Sequence, residues 1–472
     1  MATLISGDTI GRNGGTHVVT HVRSGMRRLL PTWRQPAQVV VTAFALAILA
    51  GTALLMLPVS SASGDVTGIV PALFTATSAV CVTGLIVVDT PLYWSTFGEV
   101  VILGLIQIGG LGIMTLASLL GMLISRRIGL RMQLNAQTET KTLGLGDVRQ
   151  VVSGVVRVSL IFEVVTAAFL TVRFAVGYGE DWGRAAYHGV FHAVSAFNNA
   201  GFALFSDSLM RYTTDAWICL PIAVAVIAGG LGFPVWFELW RHRRRRGSRW
   251  SLHAKITLLV TGALLVIGTF AVTIAEWNNP ETLGPLGVPG KLLAGFFHGV
   301  MPRTAGFNSL DVAQMESGTL LVTDILMFIG GGSAGTAGGI KVTTFALLAF
   351  VILAEIRGEP SVHVMGRKLT PSTQRQALTV ALLSVGAVMS GTLILLTLTQ
   401  FRIEQVLFET ISAFATVGLS TGITADIPPA GHLVLVMLMF IGRLGPITLA
   451  SALALKNRSR RYELPEERPI VG

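Results

Sequence analysis

Residues 75–85 read TATSAVCVTGL and residues 108–116 read IGGLGIMTL: small residues closing on Gly-hydrophobic, then a glycine pair inside an apolar run. Both patterns return three more times. The first recurs as HAVSAFNNAGF ending at Phe202, HGVMPRTAGF ending at Phe307 and ISAFATVGL ending at Leu419. The second recurs as AGGLGFPVW from Ala228, IGGGSAGTAGG from Ile329 and IGRLGPITL from Ile441. The glycines closing the first pattern, Gly84, Gly201, Gly306 and Gly418, stand 117, 105 and 112 residues apart. From them to Gly110, Gly230, Gly331 and Arg443 the chain runs 26, 29, 25 and 25 residues. Two patterns keeping step four times define an internal repeat.

The sequence around these patterns belongs to a membrane protein. Of 472 residues, 51% are hydrophobic and 13% charged, and the mean hydropathy is +0.67. A soluble domain carries about 25% charged residues. Apolar stretches near 20 residues recur, each long enough to cross hydrocarbon. The pI near 10.2 does not call for nucleic acid. Of the 35 Lys and Arg, 26 fall in five segments, 1–36, 125–150, 241–255, 355–375 and 456–472, whereas Pro58 to Glu99 contains none. That is the positive-inside asymmetry, with the five segments and both termini cytoplasmic. The run Arg241 to Arg246 reads as a topology anchor that can also meet anionic lipid or an acidic partner. Cys81 and Cys219 form neither a disulfide framework nor a CxxC site. The first apolar run comes after Arg27, Arg28 and Arg34 without a cleavage pattern, so it reads as a retained helix.

The expected fold is an all-α integral membrane protein of four tandem helix–pore helix–helix repeats. It has eight spanning and four re-entrant helices around one pseudo-fourfold pore. The repeats cover 37–124, 150–240, 254–357 and 374–456. They are separated by the tail 1–36, the cytoplasmic loops 125–149, 241–253 and 358–373, and the tail 457–472. First helices are expected near 37–58, 150–177, 254–276 and 374–399, and re-entrant helices near 68–80, 184–198, 289–302 and 403–414. Second helices are expected near 97–124, 214–240, 317–357 and 430–456.

Irregular backbone at membrane depth survives only where it is buried or lines a water-filled cavity. Four such loops around one axis supply carbonyl oxygens that replace an ion's hydration shell. Glycine lets the chain adopt the dihedrals this requires. The loops Val82–Thr83–Gly84, Asn199–Ala200–Gly201, Thr304–Ala305–Gly306 and Thr416–Val417–Gly418 carry no acid that would hold an ion too tightly. A single copy would read as a small-residue helix contact; four in register read as a selectivity filter.

The third repeat departs from the pattern. Residues 317–357 span 41 positions, and residues 330–339 hold six glycines. Gly330, Gly331, Gly332, Ser333, Gly335, Thr336, Gly338 and Gly339 predict an intramembrane loop between two half-helices, either a gate below the filter or a break that relieves packing. GTAGGIKVT approaches a phosphate loop, but Ile340 separates Gly339 from Lys341 and no strand precedes it, so no nucleotide is expected on this chain. Arg443 stands within an apolar helix, where a charge is expensive and functional by default. It either repels cations at a gate or pairs with Asp324, Glu163 or Glu409, and Lys341 shares either role. His188 and His192 have a metal-ligand spacing but no third ligand, which favours packing. No nucleophile–base–acid set suggests an enzyme.

These four loops and the glycine-rich insert resemble the Trk/Ktr/HKT superfamily of potassium transporters over about residues 37–456. The branch most similar is the bacterial KtrB-type membrane subunit, since 36 residues leave no room for two further N-terminal spans. The resemblance implies K+ as the transported ion, held by the filter residues above, and uptake often stimulated by Na+. It implies a homodimer in the bacterial inner (plasma) membrane and a cytosolic KtrA-type ring that binds ATP and ADP. It places the gate at 330–339 with Arg443, and the ring and dimer contacts at 241–246 and the C-terminal tail. Sodium-selective plant relatives often carry Ser at the first filter position, so Gly84 favours potassium. Three competing readings differ in testable ways: a sodium or unselective channel of this architecture, a secondary transporter with inverted repeats, and an intramembrane enzyme.

Overall fold

The structure, a computed structural model, describes residues 36–127, 147–244 and 250–445. The expected tails 1–35 and 457–472, most of the 125–149 loop, Arg245 and Arg246, and the last helix beyond 445 lie outside the described residues.

The fold is helical, and its elements follow one another in the order long first helix, short helix, second helix along each segment read as a repeat in the sequence. The first helices are Pro36–Leu55, Asp147–Val172 (continued by a π turn, Arg173–Gly177), Leu252–Ala275 and Pro371–Leu398. Among the described residues these supply the four single helices long and apolar enough to cross a membrane. Their starts obey local chemistry: the Ser251 hydroxyl accepts from Ala254 N–H, and Thr370 accepts from Thr373 N–H ahead of Pro371. Leu46, Val164, Ile267 and Leu382 face outward and exposed, where a water-soluble helix would be polar.

The short helices are Ile69–Val80, Trp182–Phe197, Val288–Val300 and Ile403–Ala415. Their C-terminal turns are buried; from Phe408 to Ala415 every residue is inside. Each packs against the first helix of its own repeat. The second helices are the least regular elements. In repeat 1, Thr96–Arg127 runs unbroken, and in repeat 4 Pro429–Leu444 ends at Gly445.

Two expectations need correction. The second helix of repeat 2 is not continuous over 214–240. It is Ala216–Leu231 and then Phe233–Arg244, bent by 97° at Gly232, whose φ of 86° no helix accommodates. Pro234, just inside the new helix, has no N–H to continue the old one. The fold also contains a small β-hairpin, His363–Val364 with Arg367–Lys368, in the 358–373 loop. Its turn is Met365–Gly366, both at positive φ, the geometry that matches strand twist in a two-residue turn.

In repeat 3 the chain leaves helix at Phe328 and re-enters at Val342. Gly330 N–H donates to Ile340 O (2.8 Å) and Val342 N–H to Gly331 O (3.1 Å), so the two ends of the loop are fastened together. At the C-terminal end of the first helix of the same repeat, Glu276 is fully buried after Ala275, and its carboxylate accepts from Thr282 (2.6 Å), Thr319, the Glu316 N–H (3.0 Å) and Asn279 (2.7 Å).

Candidate functional site

Each short helix ends in the same turn. Val82, Asn199, Thr304 and Thr416 have φ of 56°, 59°, 73° and 52°, a left-handed conformation that costs a non-glycine residue about 1–3 kcal/mol. Two residues on, Gly84, Gly201, Gly306 and Gly418 have φ of 92°, 71°, 72° and 95°. The residue between each pair, Thr83, Ala200, Ala305 or Val417, keeps negative φ. Strain repeated four times persists only where the surroundings over-determine it.

Three of the loops are held by one serine each. Ser78 accepts from Gly84 N–H (3.1 Å) and donates to Leu85 O (2.7 Å). Ser195 donates to Phe202 O (2.8 Å), and Ser412 accepts from Gly418 N–H (3.0 Å). The corresponding position in repeat 3 is Val300, which offers no such bond.

The four glycines close a ring. A Cβ on Gly201 would sit 2.7 Å from Ala305 O and 3.0 Å from Gly306 Cα. A Cβ on Gly306 would strike Val417 O, with Gly418 Cα at 3.1 Å; one on Gly418 would strike Thr83 O, with Gly84 Cα at 3.1 Å. A Cβ on Gly84 would strike Ala200 O, with Gly201 Cα at 3.1 Å, which returns the circuit to its start. All twelve filter residues expected from the sequence therefore come together in four adjoining strands. A cavity of 390 Å³ lies on one side of the ring, lined by the glycines and by polar groups such as Asp89, Ser206, Ser420 and Thr424.

The glycine-rich loop lies on the other side, against residues that precede the ring glycines. The Thr336 hydroxyl is 3.1 Å from the Asn199 side-chain amide. Gly338 packs on Thr416 and Ala415 so closely that a Cβ there would clash. Arg303, directly before Thr304, donates from Nη2 to Gly330 O (3.1 Å). Gly332 N–H donates to Gly230 O (2.7 Å) and Thr336 N–H to Gly229 O (3.2 Å), docking the loop on the second helix of repeat 2.

Arg443 is 3% exposed and reaches into the same loop: Nη1 donates to Thr336 O, and Nη2 to Gly109 O (3.1 Å) in repeat 1. Lys341 Nζ donates to Ala337 O within the loop. Among the described residues neither forms an ion pair, so of the two alternatives the structure does not show the pairing with Asp324, Glu163 or Glu409. Those acids are committed elsewhere or left alone. Glu163 accepts from Gln107 (3.0 Å) and Asn198 (3.2 Å), and Glu409 accepts from Thr421 N–H (3.1 Å), Thr424 (3.0 Å) and Ser420. Asp324 Oδ1 has no hydrogen-bond partner among the described residues. Backbone carbonyls thus solvate two buried guanidinium groups, Arg303 and Arg443, and the half-buried Lys341 around one loop. His188 pairs with Glu180 (2.9 Å), while His192 is hydrogen-bonded to His188 O (2.7 Å) and Leu204 N–H (3.3 Å), as structural histidines.

Sequence reasoning misses Arg303, although it is a charge beside a filter loop, the same signal that marks Arg443. It also misses the serine clamp, though Ser78, Ser195 and Ser412 each stand six residues before their glycine.

The family model described as TrkH, cation transport protein, matches residues 22–463. The chain belongs to the Trk/Ktr superfamily of cation transport proteins. It is 42% identical to the Ktr system potassium uptake protein B of Bacillus subtilis over 93% of this chain and 97% of that protein. It is 40% identical to the protein of the same name from Vibrio alginolyticus, over 92% and 94% of the two chains. A potassium/sodium uptake protein, NtpJ, of Enterococcus hirae is 36% identical over 93% and 97%. Within the superfamily the chain is therefore KtrB-like, and it is a transporter, not an enzyme. The crystal structure of the potassium transporter TrkH from Vibrio parahaemolyticus aligns over 91% of this chain and 87% of that one, with a TM-score of 0.71 at 18% identity. That likeness concerns the fold alone.

Proposed function

We propose that this Trk/Ktr superfamily member is the potassium-conducting membrane subunit of a Ktr-type uptake system. The observation that carries the reading is the closed ring of Gly84, Gly201, Gly306 and Gly418, each preceded by a left-handed residue. Eight spans and four pore helices then surround one axis, with the second helices completing the spans that the first helices begin. K+ sheds water in the polar cavity and is held by the carbonyls of the four strands. The intramembrane loop 330–341 with Arg443 and Lys341 forms the gate beneath them, where a buried positive charge opposes a passing cation.

The relatives named for a Ktr system support a companion subunit. In this reading a cytosolic nucleotide-binding ring acts on a homodimer through the basic arm that begins at Phe233. The potassium/sodium name of the Enterococcus relative makes Na+ a necessary arm of any assay. The deciding experiment is flux into proteoliposomes under K+, Rb+ and Na+ gradients, with Gly84→Ser beside the unmodified protein. K+ and Rb+ flux well above Na+, with discrimination lost in Gly84→Ser, is the expected result. Flux that ignores this substitution, or that requires a proton gradient, overturns the reading in favour of a carrier.

A further inference from the structure

Three filter loops are fastened to their own short helix by a serine, and the third is not. Val300 occupies the clamp position, and the residue before Thr304 is Arg303, 6% exposed. Among the described residues its guanidinium makes one hydrogen bond, to Gly330 O, the first glycine of the intramembrane loop; Nη1 has no partner there. Loops 1, 2 and 4 therefore each carry a side-chain clamp from their own short helix, while in loop 3 the corresponding side-chain tether comes from Arg303 and ends on another element. A hydrogen bond from a buried guanidinium is among the stronger ones available, and breaking it leaves a charge without solvation.

We propose that Arg303 is a specificity-positioning residue that makes the geometry of the third filter loop conditional on the closed-in position of the 330–341 loop. When that loop moves away from the ring, Arg303 loses Gly330 O, and strand Thr304–Gly306 keeps its backbone bond from Ala305 N–H to Met301 O but loses its side-chain tether, while the other three keep their serines. Ion discrimination and loop position are coupled through this one side chain. The proposal rests on the four strands being the filter, and the Gly84→Ser measurement tests that separately.

The structure also supplies its own rescue. Val300→Ser places in repeat 3 the clamp used by the other three repeats. The experiment measures the K+/Na+ permeability ratio by reversal potential in reconstituted bilayers for four proteins: unmodified, Arg303→Gln, Val300→Ser and the double variant. The ratio is expected to fall about tenfold in Arg303→Gln, about the worth of one charge-assisted hydrogen bond. In the double variant it should return to near the unmodified value, whereas Val300→Ser alone leaves it unchanged. An unchanged ratio in Arg303→Gln overturns the proposal, and so does a lowered ratio that Val300→Ser fails to restore. Arg303→Lys serves if the glutamine variant does not fold, since it keeps the charge but loses the planar fork. A measurement on the unmodified protein is independent of any variant: amide hydrogen exchange of residues 330–342 should slow in K+ relative to Na+. Equal exchange in the two salts contradicts the coupling. If Gly84→Ser abolishes discrimination while Arg303→Gln leaves it intact, the filter reading stands and this inference alone fails.

Discussion

The second helices of repeats 1 and 2 carry the same four residues, Gly-Gly-Leu-Gly, at 109–112 and 229–232, and do different things with them. At the first glycine they agree. A Cβ on Gly109 would strike Val80 O, and one on Gly229 would strike Phe197 O, the last carbonyls of the neighbouring short helices. A Cβ on Gly442 would strike Phe414 O, one residue before the end of the short helix of repeat 4. At the last glycine they part. Gly112 sits inside a helix that continues to Arg127, whereas Gly232 ends one and turns the chain by 97°. The cause is the next residue along the chain and the group packed opposite. Ile113 continues a helix; Phe233–Pro234 restarts one, and Ser333 O of the repeat 3 loop fills the corner where a Gly232 Cβ would stand. The shared residues fix how closely two helices approach, and their neighbours fix where the chain goes next.

Substituting the two ends of the motif separates these roles. Gly229→Val forces a side chain into a backbone carbonyl and should cost about 3 kcal/mol or more. It should appear as loss of the monodisperse peak after mild heating in fluorescence-detected size exclusion. A Cβ on Gly112 has Phe44 at 3.9 Å as its nearest contact among the described residues, so Gly112→Val should melt with the unmodified protein. Equal damage from both would break the comparison. Gly232→Ala is expected to be intermediate, about 2 kcal/mol, because alanine resists a φ of 86°. Its sharper signature should be K+ flux raised without any partner subunit, since its Cβ pushes on Ser333. Pro234→Ala should have the smallest effect, about 0.5 kcal/mol, with the bend retained and flux unchanged. A straightened helix, seen as a longer distance between spin labels at 220 and 240, would show that proline alone makes the turn.

Much of the plan could be read before any coordinates, for a physical reason. A glycine that takes positive φ and also leaves room for a neighbouring carbonyl resists substitution on both counts, so Gly84, Gly201, Gly306 and Gly418 mark their places directly. The break after Phe328 was legible because six glycines in ten residues cannot sustain a helix. The turn at Gly232 was harder, because one glycine inside an apolar run is also compatible with continuing helix, as Gly112 demonstrates. Gly-Phe-Pro was the available signal: a helix end, then a helix start. The partners of Arg443 were not legible. Sequence displays carboxylates as candidates, but the groups that met this guanidinium are main-chain carbonyls of Thr336 and Gly109, which every residue carries alike. Arg303 was hidden for the same reason, its acceptor being the carbonyl of a glycine.

The 97° corner gives the molecule a crank. Phe233–Arg244 has 12 residues, an arm about 18 Å long at 1.5 Å per residue, and its fulcrum is Gly232. Swinging the far end by about 3 Å turns the fulcrum by about 10°. At the fulcrum Phe233 N–H holds Ala334 O (3.3 Å), so torque applied at the far end of the arm is delivered to the glycine loop without a second moving part. The short arm of the crank ends against the glycine loop that packs on the ring of four glycines, and the long arm ends at the start of an arginine run.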